Sequence, residues 1–445
     1  PSSNHDGYNT AIGHAAMNAI STGITNTAVG ANAMYSNTTA SGNTALGYNA
    51  LQASTTSTAN TACGAYALDA LTTGSPNDAF GYGALSQCTT GASNVAVGYN
   101  AGNAITTNGG LTAVGYQAAT ATTGENVTAI GKSALGSNTS ASYCTAVGHS
   151  ALLDNTTGAE NTAIGYQAGA NLTTGQRNTI AGSYAFYTAT TANNSAAFGW
   201  EALYSTTTGY QNSAFGDNAL KANTTGNLNT AVGRGALAAN TTAEGNVAVG
   251  AEAGDAITRG HSNTCVGTTS LSSCTTGNYN VAVGHNALTA NTTANNCVAV
   301  GSYALDANTT ASYNTGIGYN SLTALTTGVT NTAVGNNTAS ALTTGSDNTA
   351  VGHQALQANT TADKNTAVGY NALNDNTDGH SNTAMGHNAA KAVTTGDYHV
   401  AIGHDALAAV TTVGQLVAVG RAAMTANTSG LQNVAVGYGA MLSNT

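Results

Sequence analysis

The glycine that closes the motif N-T-A-V-G returns at a fixed interval along the whole chain. It stands at Gly13, Gly30, Gly47, Gly64, Gly81, Gly98, Gly115, Gly131, Gly148 and Gly165, and continues to Gly403, Gly420 and Gly437. Of its 25 intervals, 24 are 17 residues long and one is 16. A repeat this short cannot enclose a core alone, so successive repeats must stack on one another. The consensus turn is N-T-A-V-G-Y-N-A-L-x-A-N-T-T-G-x-x, well represented by residues 365–381. Length alone would divide 445 residues into two or three domains. The end-to-end repeat predicts instead one continuous parallel β-solenoid over residues 1–445, all-β, of about 25 turns. At the strand spacing of about 4.8 Å, such a stack would be roughly 120 Å long. The short interval, Gly115 to Gly131, has lost a residue between Ala118 and the corner Thr122-Thr123-Gly124. A turn absorbs such a loss, whereas a slip within a strand would flip its side chains.

Low complexity here does not signal disorder. Only 6% of residues are charged and two are proline, whereas disordered chains are rich in both. The net charge of -10 offers no basic face for nucleic acid. No apolar run has the length of a membrane span, so membrane insertion is not expected. The chain opens on Pro1-Ser2-Ser3 and ends at Thr445 partway through a repeat, as expected of a processed or partial piece of a longer polypeptide. Cys63, Cys88, Cys144, Cys265, Cys274 and Cys297 form no CxxC pair and fall at several phases of the repeat. They read as small buried or half-buried side chains rather than disulfides or metal ligands.

The T-A-V strand alternates, so Thr27 and Val29 share one face and Ala28 the other. The Val29 phase carries Ile12, Leu46, Phe80, Val97, Ile164, Phe215, Val334 and Met385. Apolar and varied in size, it reads as the interior, with the β-branched Thr27 phase beside it. The Ala28 phase, which is Ala in nearly every repeat with Ile180, Cys265 and Gly316 as exceptions, then faces outward. Its persistent smallness predicts close approach of another chain at Ala28, Ala45, Ala163, Ala231, Ala350 and Ala367. In A-L-x-A (Ala50-Leu51, Ala67-Leu68), adjacent Ala and Leu would face opposite sides of a second strand, leaving one apolar ladder exposed. Soluble monomers rarely carry such a stripe, so lateral association of three chains is expected. The N-T-T-G segment is a corner. The Asn before T-A-V (Asn26, Asn43, Asn60, Asn161, Asn229, Asn382) should stack on itself from turn to turn.

The motifs N-T-A-V-G, N-V-A-V-G at 246–250 and V-T-A-I-G at 127–131 resemble the head repeats of trimeric autotransporter adhesins. The longer unit N-T-A-V-G-Y-N-A-L-x-A-N-T-T-G is similar to repeats of phage tail-fibre proteins. The resemblance covers the whole chain. It implies a left-handed coil and a homotrimer at a virion tail or cell surface. It also implies a cell-surface glycan or protein receptor engaged through a tip outside these residues. The turn is longer than in the usual adhesin head, and these residues hold no coiled-coil stalk, anchor or chaperone domain.

No catalytic, cofactor or metal site is expected. Depolymerising tailspikes are also β-solenoids, yet glycoside cleavage needs two carboxylates at a set distance, and the acids here are scattered. Glu252 with Asp255, and Asp375 with Asp378, read as solvated turn residues. No P-loop, HExxH, GxSxG or EF-hand pattern occurs. The position after the closing Gly carries Tyr48, Tyr82, Tyr99, Tyr116, Tyr166, Trp200, Tyr319 and Tyr370, with His149, His285, His353, His387 and His404. This row is either a glycan-contacting platform or, more economically, a self-stacking ladder. His387 and His404, one turn apart, are two metal-type ligands without an evident third. Asn-Thr-Thr sequons at Asn37, Asn155, Asn223, Asn240, Asn291, Asn308 and Asn359 read as corner formers before glycan acceptors. The expected function is a fibre shaft, most directly a phage tail fibre, with a bacterial adhesin of trimeric autotransporter type as the alternative. An ice-binding solenoid is a rival, weakened because the paired Thr are adjacent and point apart.

Overall fold

A computed structural model describes residues 7–427 and 429–443. Pro1-Ser2-Ser3 and Thr445, on which the expectation of a partial chain rests, lie outside the described residues. The chain divides into two compact units, Pro1–Thr225 and Gly226–Thr445. The first carries β1 (Thr10–Ile12) through β13 (Ser213–Phe215), and the second β14 (Thr230–Val232) through β26 (Val434–Val436). Within each unit consecutive strands pair in parallel at the repeat interval, for example Thr27 with Thr44 and Thr349 with Thr366. Each unit is therefore a parallel β-solenoid with one three- or four-residue strand per turn.

The register survives the short interval, where β7 (Thr112–Val114) meets β8 (Thr128–Ile130) with Thr112 opposite Thr128. Thr122 takes the buried first position of the corner, its N–H donating to the Ala119 carbonyl. Thr123 N–H then donates to Thr139 O, as Thr38 N–H does to Thr55 O. The missing residue is thus one Thr of the corner pair, a step later than the sequence suggests.

Inside and outside are the reverse of the sequence expectation. Ala28, Ala45, Ala163, Ala231 and Ala367 are fully buried within their own coil, and Ala350 is 1% exposed. They are not interchain contacts. The flanking Thr and Val positions point outward, as the buried-centre pattern of Thr27–Val29 and Thr366–Val368 records. The cause is the second apolar segment, which is no strand. In residues 369–376 the chain runs through consecutive turns, with Asn371 at φ 55° and Leu373 at φ 49°. Ala372 N–H donates to Gly369 O, Asn374 N–H to Asn371 O and Asn376 N–H to Leu373 O. The left-handed residues bend the backbone so that Ala372 and Leu373 both face inward. Among the described residues no Ala or Leu ladder of this segment is exposed, so the argument for three chains that rested on it does not hold.

The strand alanine packs against this Leu. At Gly316, which replaces the Ala, an added Cβ would sit 3.2 Å from Leu305 Cγ. Interior volume is conserved across the coil. Where Ile180 replaces the Ala, the Leu position holds Gly169, whose added Cβ would lie 2.8 Å from Ile180 Cδ1. Cys265 is matched in the same way by Gly254, at 3.3 Å from its Sγ. The closing glycine is required twice over. Gly47 has φ 144°, and a Cβ there would lie 2.5 Å from the Gly64 carbonyl oxygen of the next turn.

Ala367→Ile is accordingly expected to destabilise the second unit by about 1–3 kcal/mol through overpacking. Leu356→Gly in the same chain recreates the Gly169–Ile180 pairing and should recover part of that loss. Thermal unfolding of the single and double variants measures both; a neutral Ala367→Ile would return the alanine to the outer face.

Candidate functional site

The outer face of the strands is the most extensive feature of each unit. Its two rows are the Thr27 and Val29 phases. Among the strand residues at these positions, Asp78 alone carries a charge. The second row leaves Leu46, Phe80, Val97, Ile164, Phe215, Val232, Val249, Ile317 and Met385 between 37 and 49% exposed. Phe198 and Phe215 stack along it with centroids 4.9 Å apart. Cys63 lies in this row half-exposed, while the other five cysteines are buried and all six are free. Burial pushes the thiols of Cys88 and Cys274 up to about 11, so both stay protonated.

Beside this face runs the aromatic row. Tyr48, Tyr82, Tyr99, Tyr116, Tyr166, Trp200, Tyr319 and Tyr370 are each 44–50% exposed. Tyr82, Tyr99 and Tyr116 stack with centroids 5.4 and 5.3 Å apart and planes within 11°. Tyr66 stands edge-on between Tyr48 and Tyr82. Tyr184, Tyr187 and Tyr204 extend the row from Tyr166, and Tyr303 links His285 to Tyr319. Sequence reasoning missed these five tyrosines because they stand at other phases; Tyr66, Tyr184 and Tyr303 have positive φ, which swings each ring back into the row. The Lys221 ammonium lies 5.5 Å from the Trp200 ring. In the stacked stretches ring faces meet neighbouring rings, and it is their edges that reach solvent.

The asparagine ladder forms as expected. Asn26 Oδ1 accepts from the Asn43 backbone N–H at 2.9 Å and from its Nδ2 at 3.3 Å, and Asn43 Nδ2 donates to Ser57 O at 2.8 Å. Asn60 repeats the pattern on Asn43, and Asn348 repeats it on Asn331. Asn161, Asn229 and Asn382 are buried at the same phase. Sequon asparagines are corner residues: Asn155 Oδ1 accepts from Gly158 N–H and its Nδ2 donates to Gly158 O. Asn37, Asn155, Asn223, Asn240, Asn291, Asn308 and Asn359 have no exposed surface, so a glycan cannot be attached without opening the corner.

Of the acids singled out from sequence, Glu252 and Asp378 have side-chain partners, while Asp255 Oδ1 is buried without one. Glu252 pairs with Arg234 at 2.6 Å, and burial, then the Glu252 charge, raises the Asp255 carboxyl. Asp378 accepts from Thr361 Oγ1 at 2.8 Å. A notch of about 230 Å³ lined by Gln117, Thr120, Ser133, Gly136, Ser137 and Leu153 lies beside the one-residue deletion and holds no titratable side chain. No helix among the described residues is long and apolar enough to cross a membrane. His387 and His404 do gain a third ligating group, Asp405. No known family model matches this sequence, and no curated protein is significantly similar to it.

Several rungs of the ladder replace the Asn, Leu111, Cys144 and Ser195 among them, and one of them carries an imidazole. His399 replaces the buried Asn; its backbone N–H donates to Asn382 Oδ1 at 2.8 Å, and its ring Nδ1 accepts from the Leu416 backbone N–H at 3.3 Å. Burial pushes this imidazole below its ordinary value, against smaller opposing pulls from the Val413 carbonyl and Asp397. Since the folded value is depressed, the unfolded chain takes up a proton first as pH falls. The stability from neutral His399 is therefore complete above about pH 6.5 and declines as pH drops toward the folded value. Melting temperatures between pH 8 and 5 should show this loss, and His399→Asn should abolish that component by restoring an amide.

Proposed function

We propose that the chain is a structural fibre shaft, a left-handed homotrimeric coil that spaces and presents a receptor-binding tip outside the cell. A viral tail fibre is the first reading, and a bacterial surface adhesin of trimeric autotransporter type the alternative. The observation that carries it is the long, nearly uncharged outer face with its exposed Val, Ile and Phe row. Left in water, such a stripe is unusual for a soluble monomer. A second copy offers the same rows at the same pitch, so partner ridges stay in step along the face. The 13 turns of one unit give a face about 60 Å long and ~10 Å wide, roughly 1,200 Å² over two copies, enough for a stable interface. The role is mechanical: parallel ladders and a dry Ala–Leu interior resist local opening, and no bond need be made or broken.

Light scattering of the soluble chain is expected to give a trimer. Cys63 is its internal reporter, because it is the one thiol on this face and the other five are buried. In the assembly Cys63 should react slowly with a thiol reagent, and Val249→Lys with Ile317→Lys should release monomers with fast Cys63 labelling. A wild-type monomer with freely reactive Cys63 overturns the self-association reading. Immunogold labelling of virions or of cell surfaces separates the two settings.

One observation favours ice binding as the second reading. Thr315, Thr332, Thr349, Thr366 and Thr383 form an unbroken outward row beside Ile317, Val334, Val351, Val368 and Met385. The adjacent-Thr objection does not apply to this row, which pairs Thr with an apolar residue on one face. The bulky Phe80, Phe198 and Phe215 interrupt flatness in the first unit. Thermal hysteresis in a dilute solution supports this reading, and its absence removes it.

A further inference from the structure

We propose that His387, His404 and Asp405 form a binding site for one divalent transition-metal ion on the aromatic rim of the second unit. This is the cluster among the described residues where three metal-type ligands each bring a donor atom within 4.8 Å of the others. The frame is rigid. Gly403 N–H donates to Met385 O at 2.8 Å and Asp405 N–H to His387 O at 3.0 Å, so the two turns that carry the ligands are locked side by side. Only side-chain rotation remains to close the site.

Asp405 sets up the chemistry. Its Oδ2 lies 2.9 Å from His404 Nδ1, and its Oδ1 accepts from Asn388 Nδ2 at 3.1 Å. With the imidazole neutral, the carboxylate holds the proton on Nδ1 and leaves the Nε2 lone pair of His404 for an ion. A carboxylate oriented behind a histidine in this way raises ligand basicity and fixes the ring. The His387 ring lies parallel to His404 with centroids 4.8 Å apart and planes within 6°. Stacked in this way the rings hold their in-plane lone pairs apart, so both exposed side chains must rotate out of the stack to bring their nitrogens onto one ion at tetrahedral bonds of about 2.0–2.1 Å. Water fills the remaining positions, or Asp405 swings from its orienting role into direct ligation.

The donor set selects the class of ion. Two imidazoles with one carboxylate suit zinc, copper or nickel, whereas calcium and magnesium want an oxygen cage. The neighbours explain why the site is local. Tyr370 stands between His353 and His387, at 5.3 and 5.1 Å from them, and separates His353 from the pair. On the other side Arg421 turns its guanidinium onto the Tyr438 ring at 5.7 Å.

Titration of the full chain with zinc chloride at neutral pH, followed calorimetrically, tests the site. One zinc ion per chain should bind saturably, be removed by EDTA, and raise the melting temperature of the second unit. His387→Asn and His404→Asn should each abolish saturable binding. Both are compatible with the fold, since Asn336 already occupies this phase after Gly335. Asp405→Asn should weaken binding about 10–100-fold, and His353→Ala should leave it unchanged. Absence of saturable binding, or binding that survives both histidine substitutions, overturns the proposal. Neither result depends on whether the chain forms trimers.

Discussion

The coil is narrow, and that narrowness governs everything else about it. Seventeen residues close one turn, and the backbone of each turn rests directly on the next. The closing glycines meet carbonyl against Cα position, with no room for a methyl group. What remains inside holds one Leu, two Ala and the amide side chains. A strand facing this space can put only a small residue into it, so Ala goes in and Val goes out. The usual rule that the larger apolar side chain is the buried one is overridden by volume.

That space also determines how the second apolar segment runs. Burying adjacent Ala and Leu requires the backbone to leave the extended state, and the left-handed Leu does this at a cost of about 1–2 kcal/mol. Burying a Leu side chain returns roughly 1.5–3 kcal/mol. The new turn bonds and those to the next turn, such as Leu373 N–H to Ala389 O, keep the bent backbone satisfied. The same solution recurs at Leu51, Leu68, Leu220 and Leu356, each at φ between 48° and 55°.

Much of this was legible in the sequence. The period, the parallel stacking, the Asn26–Asn43–Asn60 ladder and the corner role of Asn155 all follow from the repeat and from the valence of an amide. The direction of the strand faces did not, because two-residue alternation separates faces without saying which is inside. The signal was present in the variation. The Val29 phase runs from Ala181 to Phe198, a range that a fixed cavity cannot accommodate but solvent or a pliant interface can. The Ala28 phase changes to Ile180 or Cys265 where Gly169 or Gly254 makes room. Left-handed Leu could not be read, since Leu is a poor choice for that conformation and only the cavity selects it. The approach of Asp405 to His404 depended on the same bend.

Because each turn contacts mainly its neighbours, stability is close to a sum of local terms. A change at an interior phase must be answered within the coil, as Ile180 is by Gly169. The position after the closing glycine carries no such debt: its side chain projects over the rim and its backbone geometry is set by the glycine before it. The chain accordingly places Tyr, His, Trp, Arg, Lys, Asp and Asn there, as at Tyr370, His404, Trp200, Arg421, Lys132, Asp217 and Asn336. Specific chemistry in a solenoid of this kind therefore arises where two successive turns bring complementary rim residues to the spacing of adjacent strands. His387 and His404 meet that condition, with Asp405 supplied by the left-handed residue that follows.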